Sequence, residues 1–524
     1  MTAPSSPTLA TQAAPLGPDA DALVTSLLTA AAYPHPATRP RLIETHLSWV
    51  FLAGEFAYKV RKPVALDFVD FSSLAARRAD CEEEWRLNHP LAPGLYLGVV
   101  PLTRDADTGA ILIGGHGDTV DYAVRMRRFH QHDVLHAMAL ERRLSAQQID
   151  PLADLIADFH RAAPIADAST DYGTAARIRQ TLEDCANAVL ALSTNWAHAR
   201  AAVSLLRQHA ERLDCAFESR RRTGHIRECH GDLHLGNIVL IGTRPTPFDC
   251  LEFSAALRWI DTMYDTAFLF MDLLALGMPD LAYRLINRYL ERSADYGGLA
   301  VLPFYAAMRA LVRARVLLER ARQLEDTDED ATMQRDEAHR LLDLSVSLLT
   351  RDDGCLLLMH GLSGSGKSTR AAQYAEAEQM IRVRSDAERQ RRHDATATER
   401  YTPHAIDRTY RRMAAICRIG VRAGFPMIAD ATFLARHHRD QFFALAKRLG
   451  VPVAIADCAA TFNVLQTRIT ARARRGTDAS EADLAVLDGQ IATQQPLSGD
   501  ELVHVIPAEV SAVLPWVLRT LAHR

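Results

Sequence analysis

None of the eight cysteines stands in a CxxC pair: Cys81, Cys185, Cys215, Cys229, Cys250, Cys355, Cys417 and Cys458 are scattered. The chain therefore offers neither zinc-ribbon spacing nor a disulfide framework, and a reducing cytoplasm is the expected compartment. There is no excess of either charge. A formal net charge of −4 exerts no overall pull toward nucleic acid or an anionic membrane. Long apolar runs are missing too. The apolar stretch around Leu23 to Ala32 is broken by Thr and Ser, follows no basic segment and precedes Pro34 and Pro36, so neither a signal peptide nor a membrane span is expected. Nor is there a repeat with a period of about 20–50 residues, which excludes solenoids and propellers.

What is present is the composition of a globular protein. With 48% hydrophobic and 24% charged residues, a chain of 524 residues can bury more than one core. Residues 1–20, rich in Ala, Pro, Ser and Thr, read as a flexible tail. The run His46 to Lys62 reads as a hairpin around Ala53-Gly54-Glu55, followed by a helix over Ser73 to Asn88. Strands at Leu95 to Pro101, Ala110 to Ile113 and Val120 to Met126 complete a small antiparallel sheet with one helix, within residues 40–130. Beyond Asp133 the periodicity turns helical, with segments such as Leu152 to Ala163, Ala175 to Leu192 and Ala197 to Glu218. A β-like island at Glu228 to Phe253 interrupts it, and helices return from Ile260 to about Leu349, with a solvated acidic turn at Glu325 to Asp330. Thr350 to Gly354 reads as a linker. After it, strands at Cys355 to Met359, Ile381 to Val383, Pro426 to Ala429 and Val453 to Asp457 alternate with helices, the pattern of an α/β unit with a parallel sheet.

The first of those strands ends in Gly361-Leu-Ser363-Gly364-Ser365-Gly366-Lys367-Ser368, with Thr369 opening a helix-competent stretch. Glycines let the backbone N–H groups wrap a phosphate, and the helix that follows points its positive end at the same anion. Lys367 is placed for the β- and γ-phosphates and Ser368 for Mg²⁺, so ATP-Mg²⁺ is the expected ligand. Asp386, after the second strand, is a candidate base for an acceptor hydroxyl, with Arg389 one turn later to hold substrate or phosphate. A capping Asp with a surface Arg is the alternative. Asp430 ends an apolar strand and is a candidate for ordering Mg²⁺, against a helix-capping role. Arg472 and Arg475, in the basic segment Arg468 to Gly476, could close as a lid over the transferring phosphoryl group, or form a solvated face. Together these positions resemble the small P-loop kinases that phosphorylate hydroxyls, such as gluconate kinase and polynucleotide 5′-kinase, over residues 354–510. The Asp386-x-x-Arg389 pair is most similar to the latter, which implies Asp386 as base. The His437-His438 pair has no carboxylate or Cys at metal spacing and reads as surface.

In the middle of the chain, His230-Gly231-Asp232-Leu-His234-Leu-Gly236-Asn237 is followed twelve residues later by Asp249. A kinase-like catalytic loop needs an Asp to accept the hydroxyl proton, an Asn five residues on for a metal ion, and a further Asp across a hairpin for Mg²⁺. Asp232, Asn237 and Asp249 fill those places. The motif resembles that of the aminoglycoside phosphotransferase and choline kinase-like family, over residues 25–345. The resemblance implies a two-lobed protein-kinase-like fold, with an N-lobe at about 40–130 and a C-lobe at about 131–349. It also implies a phosphate-binding Lys held by a helix Glu: Lys59, with Lys62 as competitor, and Glu84, with Glu82 and Glu83 as substitutes. One departure is the absence of a GxGxxG loop before Lys59, where only Ala53-Gly54 stands. Asp261 and Asp265 are expected to brace the loop, and His160 to pack.

The two segments together resemble bacterial fusions of an aminoglycoside phosphotransferase-like domain, here residues 21–349, with a P-loop ATP-binding domain, here residues 350–524. The expected fold class is an α+β protein-kinase-like domain followed by an α/β P-loop domain. The expected function is ATP-Mg²⁺-dependent phosphoryl transfer to the hydroxyl of a small molecule, with two nucleotide sites. Three rivals stand beside it: an N-terminal pseudokinase regulating an active P-loop kinase, an ATPase switch acting on a partner, and a nucleic-acid 5′-end kinase, the last disfavoured by the balanced charge. No membrane partner is expected, and acceptor and oligomeric state stay open.

Overall fold

The computed structural model describes residues 18–66, 69–193, 196–324, 328–391, 399, 402–475, 483–507 and 512–521. The expected N-terminal tail lies almost wholly outside them, as does part of the acidic turn. The chain divides into two compact units. The first comprises residues 1–152, 159–276 and 306–346, the second 153–158, 277–305 and 347–524. The boundary expected at 349/350 falls close to the last of these divisions, and the second unit also takes in residues 277–305.

The first unit begins with a six-stranded antiparallel sheet. Its strands run in the order Arg41–Glu44, Ser48–Ala53, Phe56–Arg61, Asp118–Arg127, Tyr96–Arg104 and Ile111–Ile113. Alternation along the strands sorts the side chains between two faces. Phe51, Tyr58, Val60 and Leu102 pack with Leu23 and Leu27 on one side; Ala57, Val124 and Met126 pack with Cys81, Leu95 and Tyr96 on the other. Lys59 and Arg61 share the parity of Ala57 and so point toward the helix Leu74–Asn88. That helix starts where the Ser73 hydroxyl accepts the Ala76 N–H, and its buried face carries Arg77, Asp80, Cys81, Glu84 and Asn88. Gly54 turns the central hairpin at φ +60°, where an added Cβ would stand 2.5 Å from the Pro36 carbonyl oxygen.

The rest of this unit is mainly helical. The single helix expected over Ala197 to Glu218 is two, Ala197–Arg212 and Asp214–Arg222, because Leu213 leaves the helical region at φ −95°, ψ 0°. The β-like island is the strand Ile226–Glu228 and the hairpin Ile238–Ile241 with Arg244–Pro247. Helix Thr262–Ala275, capped by Asp261, is buried along nearly its whole length beneath them.

The second unit holds a four-stranded, fully parallel sheet in the order Ile381–Arg384, Met427–Asp430, Leu356–His360, Val453–Asp457. Leu357, Met359, Ile428, Ala454 and Ala456 form its core with Val513 and Val517. Helices Lys367–Ala377, Pro403–Arg422 and Arg436–Leu449 connect the strands, the expected α/β arrangement. Helix Pro279–Ser293 also belongs to this unit. Among the described residues no helix is long and apolar enough to cross a membrane.

Candidate active sites

In the first unit, residues far apart in sequence converge beneath the sheet. Lys59 Nζ stands 3.0 Å from Glu84 Oε1 and 2.7 Å from Asp249 Oδ1. Its competitor Lys62 is turned to Glu44, and Glu82 and Glu83 are turned to arginines, so Lys59 and Glu84 form the internal pair. Burial works to lower the Lys59 ammonium, but Asp249 and Glu84 together more than reverse it and keep the lysine charged. Asp249 sits at φ +63°, a strained position for a side chain other than glycine. Hydrogen bonds hold it there: its N–H donates to the Tyr96 hydroxyl at 3.1 Å, and the next N–H, of Cys250, donates to Asn88 Oδ1 at 2.9 Å.

The loop carrying Asp232 is tied from below. Asp265 accepts the N–H groups of His230 and Gly231 at 3.1 and 3.0 Å and pairs with His160, while Asp272 accepts the Leu235 N–H at 3.0 Å. Asn237 donates its amide N–H to both the backbone and the carboxylate oxygen of Asp232, each at 3.0 Å. Burial tends to raise the Asp232 carboxyl, but His234 and Arg309 outweigh it and hold the group below the ordinary carboxylate range. A cavity of about 370 Å³ opens above these groups, lined by Val50, Ala57, Lys59, Met126, Phe248 and Asp249. Its roof explains the missing glycine loop: the turn facing the cavity is Thr45-His46-Leu47, not the distal Ala53-Gly54-Glu55. Thr45 closes that turn by hydrogen bonds to Ser48 at 2.9 and 3.0 Å.

Two groups here escaped the sequence reading. Arg61, fully buried, is bound by Asp80, by Glu84 at 2.7 Å and by Glu252 at 2.5 Å. Four carboxylates thus surround two cations, and burial pushes the Glu252 carboxyl up to about 8 in spite of Arg61. Arg309 donates to the Gly231 carbonyl at 2.9 Å and stacks 3.7 Å from the Tyr264 ring centre. Arg61 was obscured by its neighbour Lys62, and nothing near Arg309 in sequence marks it.

In the second unit the phosphate loop has the expected backbone. Gly361, Gly364 and Gly366 take φ of +129°, +83° and +95°, and a Cβ on Gly361 would lie 2.3 Å from the Cys458 carbonyl oxygen. The helix Lys367–Ala377 starts immediately after. Ser368 Oγ donates to Asp430 Oδ1 at 3.3 Å, and Lys367 Nζ donates to the Leu362 carbonyl at 2.7 Å. Burial raises the Asp430 carboxyl, and its second oxygen has no hydrogen-bond partner among the described residues. The Ser365 hydroxyl is likewise buried without a partner among them.

A cavity of about 770 Å³ joins this loop to the neighbouring strand ends; Ser363, Gly364, Gly366, Lys367, Ser368 and Thr369 line one side. Arg384, Asp386, Arg389, Tyr410 and His438 line the other. Asp386 and Arg389 pair with each other at 2.8 Å, and Arg468 reaches the Gly364 carbonyl at 3.3 Å. Arg472 and Arg475 lie at the end of helix Phe462–Arg475, and their side chains fall outside the described residues. The reading of His437 and His438 as a surface pair without a carboxylate is corrected. Helix Pro403–Arg422 brings Asp407 to both rings, and His438 is buried against Tyr410.

Fold and sites define a protein of two parts, a two-lobed protein-kinase-like unit and a P-loop α/β unit. The chain belongs to the family of the uncharacterized protein Rv2004c of Mycobacterium tuberculosis: the two are 31% identical over 489 residues, 86% of this chain and 91% of the relative. The uncharacterized protein Mb2027c of Mycobacterium bovis matches with the same figures. A family model described as an AAA domain, AAA_33, matches residues 356–497. Among solved structures, a choline/ethanolamine kinase family protein from Mesorhizobium loti is 13% identical with a TM-score of 0.36, covering 63% of this chain and 99% of its own. A gluconokinase from Sinorhizobium meliloti is 22% identical with a TM-score of 0.22, covering 32% and 90%.

Proposed function

We propose that this protein is an ATP-Mg²⁺-dependent phosphotransferase with two nucleotide sites, each moving the γ-phosphoryl group to a hydroxyl of a small acceptor. The observation that carries the reading is the meeting of Lys59, Glu84 and Asp249, which span 190 residues of sequence, beside an Asp232 held by Asn237. Such an arrangement suits phosphoryl transfer, where the protein contributes mostly position and charge. In the first unit Lys59 receives the α- and β-phosphates and Asp232 takes the acceptor's proton. In the second, the loop N–H groups and Lys367 cradle the phosphates, Asp386 takes the proton, and Arg389 and Arg468 face the transferring group.

The donor sets fit Mg²⁺. Asp430, with its unpartnered buried oxygen, and Ser368 would hold one ion; Asn237, whose amide nitrogen is the atom turned to Asp232, and Asp249 would hold another. The ion neutralises charge on the β- and γ-phosphates. A second reading makes the first unit a pseudokinase that binds nucleotide without transferring it. The glycine-free turn Thr45-His46-Leu47 over its cavity favours that reading.

The test is transfer from γ-labelled ATP to sugars, aminoglycosides, nucleosides and 5′-hydroxyl oligonucleotides, with Lys367→Ala and Asp232→Ala measured separately. Two active sites predict that each substitution removes a different labelled product. Loss with Lys367→Ala alone establishes the pseudokinase reading. ATP hydrolysis without any labelled product points to a switch, and a signal unchanged by either substitution overturns both site assignments.

A further inference from the structure

The cluster that corrected the histidine reading has the makings of a metal centre. Asp407 comes from helix Pro403–Arg422, and His437 and His438 from the first turn of helix Arg436–Leu449. Both imidazoles present Nε2 to the same carboxylate oxygen, at 3.3 Å from His437 and 2.9 Å from His438. All three donor atoms lie within 4.8 Å of one another. Around a tetrahedral ion with bonds of about 2.0–2.1 Å to nitrogen and oxygen, neighbouring ligand atoms stand roughly 3.3–3.4 Å apart. The His437 edge already has that length, and the His438 edge needs to open by roughly 0.4–0.5 Å.

Ligand chemistry and surroundings agree with the geometry. The His438 ring is fixed by stacking on Tyr410 with centres 3.7 Å apart, which aims its Nε2 at Asp407. His437 is 67% exposed and Asp407 50%, so water can complete the coordination on the open side. Two histidines and one carboxylate with an open position form a zinc-type donor set, distinct from the oxygen donors proposed for Mg²⁺.

The geometry points to a Zn²⁺-class site formed by Asp407, His437 and His438 on the wall of the P-loop cavity. This site stands apart from the nucleotide reading and uses none of its ligands. Because His438 and Tyr410 line that cavity, a bound ion locks the acceptor-side wall to helix Pro403–Arg422.

The experiment takes the full chain after chelator treatment and titrates Zn²⁺ by calorimetry and Co²⁺ by visible absorption. Asp407→Asn and His437→Ala are run beside it, both exposed positions whose fold is verified by thermal melting, with Lys367→Ala as control. The site predicts about one equivalent of Zn²⁺ and four-coordinate Co²⁺ bands, with affinity reduced at least about tenfold by Asp407→Asn and by His437→Ala and unchanged by Lys367→Ala. Absence of uptake overturns the site, as does uptake that either of the two ligand variants leaves intact. If the variants weaken binding but Co²⁺ shows only weak six-coordinate bands, the tetrahedral assignment is overturned.

Discussion

Replacing Lys59 with methionine isolates the charge balance beneath the sheet of the first unit. The wild-type cluster sets Asp80, Glu84, Asp249 and Glu252 against Lys59 and Arg61. Burial pushes the Glu252 carboxyl up to about 8, and Lys59→Met leaves the four acids facing Arg61 alone. Breaking a buried pair costs about 3–5 kcal/mol; Asp249 retains 28% of its side-chain exposure, so the low end, about 3 kcal/mol, applies. For a unit of this size that lowers the melting temperature by roughly 4–6 °C. The sign of the pH dependence is the sharper test. In the wild type the Asp249 carboxyl is lowered, burial being outweighed by Lys59, so its contribution is present above the ordinary carboxylate pKa and lost as pH falls. Without Lys59, burial governs and raises that pKa above its unfolded value, so stability is then lost as pH rises. The deficit of Lys59→Met, followed by calorimetric melting, is therefore largest near pH 8 and shrinks toward pH 5. An equal deficit at both pH values, or one below about 1 kcal/mol, would refute a buried cluster and leave a solvent-screened pair.

Further outcomes follow from the second unit. Asp430→Asn should lower nucleotide turnover by this unit roughly 100-fold while leaving it no less stable at pH 7, since burial already disfavours the charged form; a coupled ATPase assay and a melt read both. Gly361→Ala forces a side chain into φ +129° and against the Cys458 carbonyl, so fluorescence titration should lose one of the two nucleotide equivalents, the one that Lys367→Ala also removes, and retention of both would contradict the loop geometry. Arg439→Ala strips Glu501 of contacts at 2.6 and 3.0 Å in a fully buried setting and should cost about 3–5 kcal/mol at pH 7. Although burial opposes it, Arg439 lowers the Glu501 carboxyl to about 2, so the wild-type advantage is full above the unfolded value near 4.5 and fades as pH falls toward 2; denaturant titrations at two pH values check this.

What could be read from the sequence was chemistry packed into short stretches. The glycine-rich loop at Gly361 to Ser368 and the run from Asp232 to Asn237 each keep their pattern within eight residues or fewer, so spacing alone marks them as candidates. Lys59 and Glu84 were legible in part, because strand and helix periodicity predict which side chains face the same space. Arg61 obeys the same periodicity, yet an arginine beside Lys62 looks like surface until the sheet shows its burial. The turn over the first cavity is not legible from a glycine pattern: Ala53-Gly54 carries the glycine, while Thr45-His46-Leu47 faces the cavity. Asp407 lies 31 residues before His438, farther than a local metal motif reaches, so only the packing of two helices joins them.

Helix Pro279–Ser293 poses the same problem of distance, since helical periodicity is expected from Ile260 to about Leu349, and the acidic turn at Glu325 to Asp330 within it marks no change of partner. The structure places it against the edge strand Ile381–Arg384 of the parallel sheet. Asn287 Oδ1 accepts the Arg382 N–H at 2.7 Å and its Nδ2 donates to the Met380 carbonyl at 2.9 Å, so one side-chain amide occupies edge groups that would otherwise stand open. Glu291 pairs with Arg384 at 2.9 Å, Arg284 pairs with Glu376 at 2.7 Å, and Ala282, Tyr283, Leu285, Ile286, Tyr289 and Leu290 are buried. A fragment of residues 350–524, cut where the sequence suggests a linker, keeps the phosphate loop but loses this cover. Two amide hydrogen bonds at about 1 kcal/mol each and the loss of several apolar contacts should lower its stability by several kcal/mol. The uncovered strand should also make it associate in sedimentation runs. A synthetic peptide of residues 277–305 added in trans should raise its melting temperature and disperse the aggregates. A fragment that is monomeric and melts with the full chain, indifferent to the peptide, would show that the P-loop unit ends where its sequence pattern does.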